Sequence, residues 1–201
     1  MLACAPARVS AHPHVWVTIH SEVLYTADGV MTGIRHAWTF DDMFSAYALQ
    51  GIQHAQKGQY TREELKDLAE VNVTSLKEYD YFTYARADGK KAMFTDPVDY
   101  WLEYKDSALV LHFTLPLKQP VAAKAMLIEI HDPTIFVDFK FAKETPVALT
   151  GAPQRCNLQV DLPHEPTPAE QLRMRQLDEN PLDPFDGFGK LFSNKIQVKC
   201  L

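Results

Sequence analysis

Apolar and polar residues alternate strictly near the start of the chain. Val15, Val17 and Ile19 fall on one side of an extended backbone, and His14, Trp16, Thr18 and His20 on the other. The pattern predicts a first strand over residues 14–26. Asp28-Gly29 is a turn signal, and residues 30–40 read as the antiparallel partner. The acidic pair Asp41-Asp42 is placed to cap a helix through residues 43–52. After the polar break at 54–59, Thr61 and Glu64 make a capping-box pattern. Leu65, Leu68, Ala69, Val73 and Leu76 then recur at helical spacing, which predicts a second helix to about residue 78.

From Tyr81 the period returns to two. Residues 81–87, 92–95, 99–104, 108–115, 125–130, 134–142, 147–150 and 156–162 read as strands. Asp88-Gly89, Asp96-Pro97 and Asp132-Pro133 are turn signals between them. The implied class is α+β: a mainly antiparallel β-sandwich over residues 12–162, with a helical pair inserted after the second strand at about 41–79. Residues 163–190 hold five prolines and one expected short helix at 169–177, and read as a surface-draped connector. The ending, 191–201, carries Ile196 and Val198 and should rejoin the sheet.

Composition narrows the function classes. The chain has 201 residues, enough for one good-sized core. A net charge of −6 without a basic cluster argues against nucleic acid. No run approaches the roughly 18 apolar residues of a membrane span. Val9-Ser10-Ala11 has the small-residue pattern of a signal-peptidase site, so residues 1–11 read as the tail of a signal peptide and His12 as the first mature residue. Export removes Cys4 and leaves Cys156 and Cys200, for which a disulfide is expected in an oxidising periplasm.

The candidate chemistry is metal binding. His12 and His14 are two imidazoles beside a free α-amino group, and imidazole is the commonest biological metal ligand. Pro13 has no N–H to surrender, so the square-planar amide chelate of copper(II) or nickel(II) cannot form completely. The donors left suit zinc first, with copper or nickel as alternatives. Asp41 and Asp42, at the end of the second strand, are candidate oxygen ligands near the start of the first. His36 and Trp38 alternate, which raises the expectation that their strand face meets His14 or His20. His54, His112 and His164 are assigned no chemistry. No nucleophile elbow or glycine-rich phosphate loop occurs, which argues against an enzyme.

A set of motifs running through the chain strengthens the picture. They are His12-Pro13-His14-Val15-Trp16, Arg35-His36-Ala37-Trp38-Thr39-Phe40-Asp41-Asp42, Tyr81-Phe82-Thr83, His112-Phe113-Thr114-Leu115-Pro116-Leu117 and His131-Asp132-Pro133-Thr134-Ile135-Phe136. Gly151-Ala152-Pro153 with Cys156 completes it. With these the sequence resembles an exported domain-of-unknown-function family known as the periplasmic component of an uncharacterised ABC-type transport system. The resemblance implies a partnership with inner-membrane permeases of the nickel/cobalt type and a role in zinc binding and uptake. Family members keep Asp-Pro-Thr but carry an aromatic residue in place of His131, which makes Asp132 the better ligand candidate there. Many members also carry an Asp-rich EF-hand-like loop between the helices. In this chain Gln53, Ala55 and Lys57 occupy its first positions, so no calcium is expected.

The leading expectation is a periplasmic metal-binding accessory protein presenting zinc to a permease, with His12, His14, Asp41, Asp42 and Asp132 as metal candidates. A copper redox protein using the N-terminal histidine, and a non-catalytic interaction module, are the alternatives.

Overall fold

The computed structural model describes residues 13–56, 58–177 and 186–200, and folds them as two sheets with three α-helices. β1 (Val15–Tyr25) and β2 (Met31–Phe40) form the expected antiparallel hairpin, in register from Val17 opposite Phe40 to Leu24 opposite Gly33. Gly29 takes φ +88° in the connecting turn, a conformation that favours glycine. The first sheet continues with β5 (Val98–Lys105), β6 (Ala108–Val121), β8 (Val137–Phe141) and β9 (Val147–Thr150), in the order β5-β6-β2-β1-β8 with β9 also on β1. The second sheet has the order β10-β11-β7-β3-β4, from β3 (Thr83–Ala87), β4 (Lys90–Ala92), β7 (Ala125–Ile130), β10 (Cys156–Asp161) and β11 (Asn194–Cys200). Its pairs are antiparallel throughout.

The alternation in β1 has the packing consequence it predicts. Val15, Val17 and Ile19 are buried, while His14, Trp16, Thr18 and His20 are exposed. The buried face joins one core in which Trp38 meets Phe113 edge-on at 4.8 Å and Phe139 at 4.9 Å. Each fully buried side chain of this size contributes on the order of 2 kcal/mol by leaving water. Cys156 and Cys200 lie directly opposite each other on β10 and β11 and are joined by a disulfide.

Three local differences from the sequence pattern have physical causes. β8 and β9 pair with β1 in parallel, because alternation specifies a strand but not its partner. β3 begins at Thr83 rather than Tyr81, since Asp80, Tyr81 and Phe82 take φ of 51°, 54° and 49° in a left-handed turn. Tyr81 and Phe82 are buried there, and the Tyr81 hydroxyl donates to Asp96 at 2.9 Å. β8 begins at Val137 because residues 132–136 form a loop, with Ile135 at φ 62°.

Between the hairpin and β3 lie α1 (Asp42–Ala48) and α2 (Lys66–Leu76). Leu65, Ala69 and Val73 are buried, so the helical spacing identified the packed face. The Thr61–Glu64 box forms, with Glu64 N–H donating to Thr61 Oγ1 and Thr61 N–H to Glu64 Oε2. Residues 62–65 nonetheless make turns ahead of the regular helix. α3 (Pro168–Arg175) starts at a second capping box, between Thr167 and Glu170. The segment around it lies on residues 132–135, through a small cluster of Ile135, Leu177 and Phe188 with Met174 and Phe192. A Cβ at Gly189 would collide with the carbonyls of Asp132 and Pro133, so this contact requires glycine.

Candidate functional site

The described candidates His14, Asp41, Asp42 and Asp132 lie on segments that meet around the N-terminal end of β1, without converging on one point. His14 sits exposed, with its N–H donating to Phe136 O at 2.9 Å and its ring 4.8 Å from the Phe136 ring. His12 lies outside the described residues. His20 is on the same outer face but six residues along, about 20 Å at strand rise, too far to share an ion with His14.

Asp41 arrives at this end because β2 runs antiparallel to β1. Its Oδ1 accepts from Phe44 N at 2.8 Å, capping α1, and its Oδ2 accepts from Trp16 N at 2.9 Å. Asp42 is exposed and accepts from Met43 N at 2.9 Å. Asp132 approaches from the other side of β1, since β8 follows its loop. It is buried and accepts from Thr134 N at 2.7 Å, Thr134 Oγ1 at 2.8 Å and Val137 N at 2.9 Å. Both Asp41 and Asp132 therefore hold backbone in place. Among the described residues no three His, Cys, Asp or Glu side chains are grouped so as to hold a metal ion.

The expectation for His36 is corrected. Residue 36 pairs with Ser21, which faces inward, so its ring lies in the core while His14 and His20 point to the opposite face. Its Nδ1 is 2.9 Å from Ser21 Oγ and its Nε2 is 3.4 Å from Thr83 Oγ1 on the second sheet. Complete burial pushes its pKa down to about 3.

In the helix-pair loop, Glu64 accepts from Ala55 N at 2.7 Å, Thr61 N at 2.7 Å and Thr61 Oγ1 at 2.9 Å. Glu64 thus works as a clasp for the loop between the two helices. Lys57 lies outside the described residues.

Behind the histidine segment is a cavity of about 110 Å³ whose wall includes Pro13. His131, Asp138, His164 and Glu165 also line it, brought together from β8, the loop before it and the strap that carries α3. His131 is buried, lies with its ring 4.6 Å from the tilted Tyr84 ring and contacts Ser193 Oγ through Nδ1 at 3.0 Å. Burial, with Lys190 and Lys195 nearby, pushes its pKa down to about 4. Sequence reasoning ranked Asp132 above His131 and set His164 aside as a linker residue. The Thr167–Glu170 box was the available signal for His164, because the same carboxylate receives its imidazole.

A family model described as "Protein of unknown function (DUF1007)" matches residues 1–200. An uncharacterised protein of Haemophilus influenzae is 23% identical over 198 residues, covering 96% of this chain and 92% of the relative. An uncharacterised 15.5 kDa protein of Spirochaeta aurantia is 33% identical over 93 residues, covering 46% of this chain and 66% of the relative.

Proposed function

The chain belongs to the DUF1007 family of proteins of unknown function, and within that family we propose that it is an exported metal-binding accessory protein. It takes up zinc at the histidine segment His12-Pro13-His14 and presents it to an inner-membrane permease of the nickel/cobalt type. The observation that carries this reading is the exposed imidazole of His14 at the end of a rigid strand, two residues after His12. Asp41 and the Asp132 loop brace that strand end from either side, so a bound ion would be held at the surface, where it can be passed on. The Cys156–Cys200 disulfide agrees with an oxidising compartment. No helix of the described residues is long and apolar enough to cross a membrane.

Zinc is the cargo here. Neutral imidazoles are its ligands, so protons compete with the ion for the site. Competitive zinc titration of His12→Ala and His14→Ala tests the reading. Loss of binding in either supports it, and unchanged binding in both removes the histidine segment from consideration.

A non-catalytic interaction module is the second reading. It is favoured by Trp16 and Phe136, which are 46% and 47% exposed on the outer face beside His14. Trp16→Ala that weakens permease binding while leaving zinc affinity unchanged would assign this face to docking.

A further inference from the structure

The outer face of the second sheet carries a groove of about 600 Å³, within the size range of small-molecule sites. Tyr84 and Arg86 of β3, Lys91 of β4 and Glu129 of β7 line it. Ala85 between the first two, and Ile128 and Ile130 on either side of Glu129, are buried in the core, so the lining side chains stand on the opposite face of their strands. The left-handed turn at Asp80 and Tyr81 and the strap residue Lys190 enclose the groove further. Glu129 is only 6% exposed although it faces outward.

Two cations meet in this groove. Arg86 and Lys91 are direct cross-strand partners on β3 and β4. Side chains so opposed start about 5 Å apart at Cβ, and like charges there repel. Arg86 gives one N–H to Gly89 O at 3.3 Å. Among the described residues neither cation has a carboxylate within ion-pair distance, whereas Lys190 is paired with Glu129 at 3.4 Å. The Arg86 fork therefore keeps N–H groups to offer, beside an ammonium. An anion between the two would replace one repulsion by two attractions. Glu78 and Asp80 line the same groove, so with Glu129 its carboxylates match Arg86, Lys91 and Lys190 in number. That balance disfavours a polyanion and fits a ligand with a single negative charge.

Rings and a thioether supply the rest of the lining. Tyr79 is 44% exposed, with its ring stacked on Phe82 at 5.1 Å, and Met93 is also 44% exposed. Both border the groove, and the Tyr84 hydroxyl donates to Tyr79 O at 3.3 Å, tying the turn to the groove floor. The three successive positive φ values at Asp80, Tyr81 and Phe82 bury Tyr81 and Phe82 and leave Tyr79 at the rim. Backbone in such sparsely populated conformations collects at binding sites. We propose that this groove binds a small aromatic monocarboxylate, its carboxylate received by Arg86 and Lys91 and its ring laid against Tyr79, Tyr84 and Met93. Guanidinium–carboxylate hydrogen bonds are of the strong, charge-assisted kind. This is a second binding function, and it does not rest on the zinc reading.

The test is titration of the full chain with benzoate, phenylacetate and indoleacetate, followed by backbone amide shifts in nuclear magnetic resonance. Phenylacetamide and inorganic phosphate serve as the uncharged and the ring-free probes. Arg86→Gln and Lys91→Gln are the variants; each removes one of two opposed like charges, so neither should lower Tm, and circular dichroism verifies folding. The expected result is that at least one carboxylate, at millimolar concentration, moves the amides of residues 84–92 and 129, and that phenylacetamide does not. Its affinity should fall at least about tenfold in Arg86→Gln. No shift from any of the three carboxylates, or a response unchanged in both variants, overturns the proposal. Phenylacetamide acting as strongly as phenylacetate overturns the role given to Arg86 and Lys91. Phosphate moving the same amides as strongly as the carboxylates overturns the aromatic ligand and leaves a bare anion site.

Discussion

The carboxylate of Asp41 receives the backbone N–H of Trp16 at 2.9 Å, and through its other oxygen that of Phe44 at 2.8 Å. One side chain thus caps α1 and anchors the first residues of β1, the strand that presents His14. Asp41→Ala removes both bonds and should lower stability by roughly 1–2 kcal/mol in urea denaturation. Asp41→Asn should recover most of that loss and leave zinc affinity unchanged. A tenfold drop in zinc affinity in the Asn variant would make Asp41 a ligand after all.

Asp132 has the larger structural load. It is buried and satisfies three donors of the loop leading into β8. Asp132→Ala should cost roughly 3 kcal/mol, because the half-buried Thr134 and Val137 donors lose a charged acceptor. The same urea measurement decides it, and a loss below about 1 kcal/mol would show that the loop holds without this carboxylate.

His36 predicts an acid limb in the stability curve. Burial lowers its folded pKa from 6.5 to about 3, so the unfolded chain takes up the proton first as pH falls. Stability from this group is fully present above about pH 6.5 and declines toward pH 3, by at most about 1.4 kcal/mol per pH unit. His131, lowered to about 4, adds to the same slope. Urea midpoints measured from pH 7 to 4 should fall, and His36→Gln should flatten the fall. An identical slope in the variant would remove His36 as its cause.

The disulfide closes a separation of 44 residues, which chain entropy values at about 4 kcal/mol at 25 °C. Because Cys200 ends β11 beside Cys156 on β10, reduction should loosen the edge of the second sheet. A thermal melt with and without reductant should differ by several degrees. Coincident melts would mean that the pairing of β10 with β11 holds that edge unaided.

What the sequence made legible depended on how local the cause was. The β1–β2 hairpin, the acidic cap at Asp41 and the cysteine pair each rest on residues whose pattern states their role. The proximity of Asp41 to Trp16 followed from hairpin geometry alone. The inward turn of His36 was missed because alternation gives two faces without saying which one the core takes, and Trp38 beside it was the clue. His131 and His164 were passed over for a different reason. Their partners are Ser193 and Glu170, and the cavity they line exists only once the strap has folded back on the Asp132 loop.

Whether a chain beginning at His12 binds zinc is the most direct test of the functional account. The measurement is a competitive zinc and copper titration of protein verified to begin at His12, beside the same protein with one extra leading residue. The account predicts zinc binding by both forms through the imidazoles, lost on His14→Ala. If neither metal binds more than weakly to the verified protein, the histidine segment is ordinary surface and the zinc assignment is wrong.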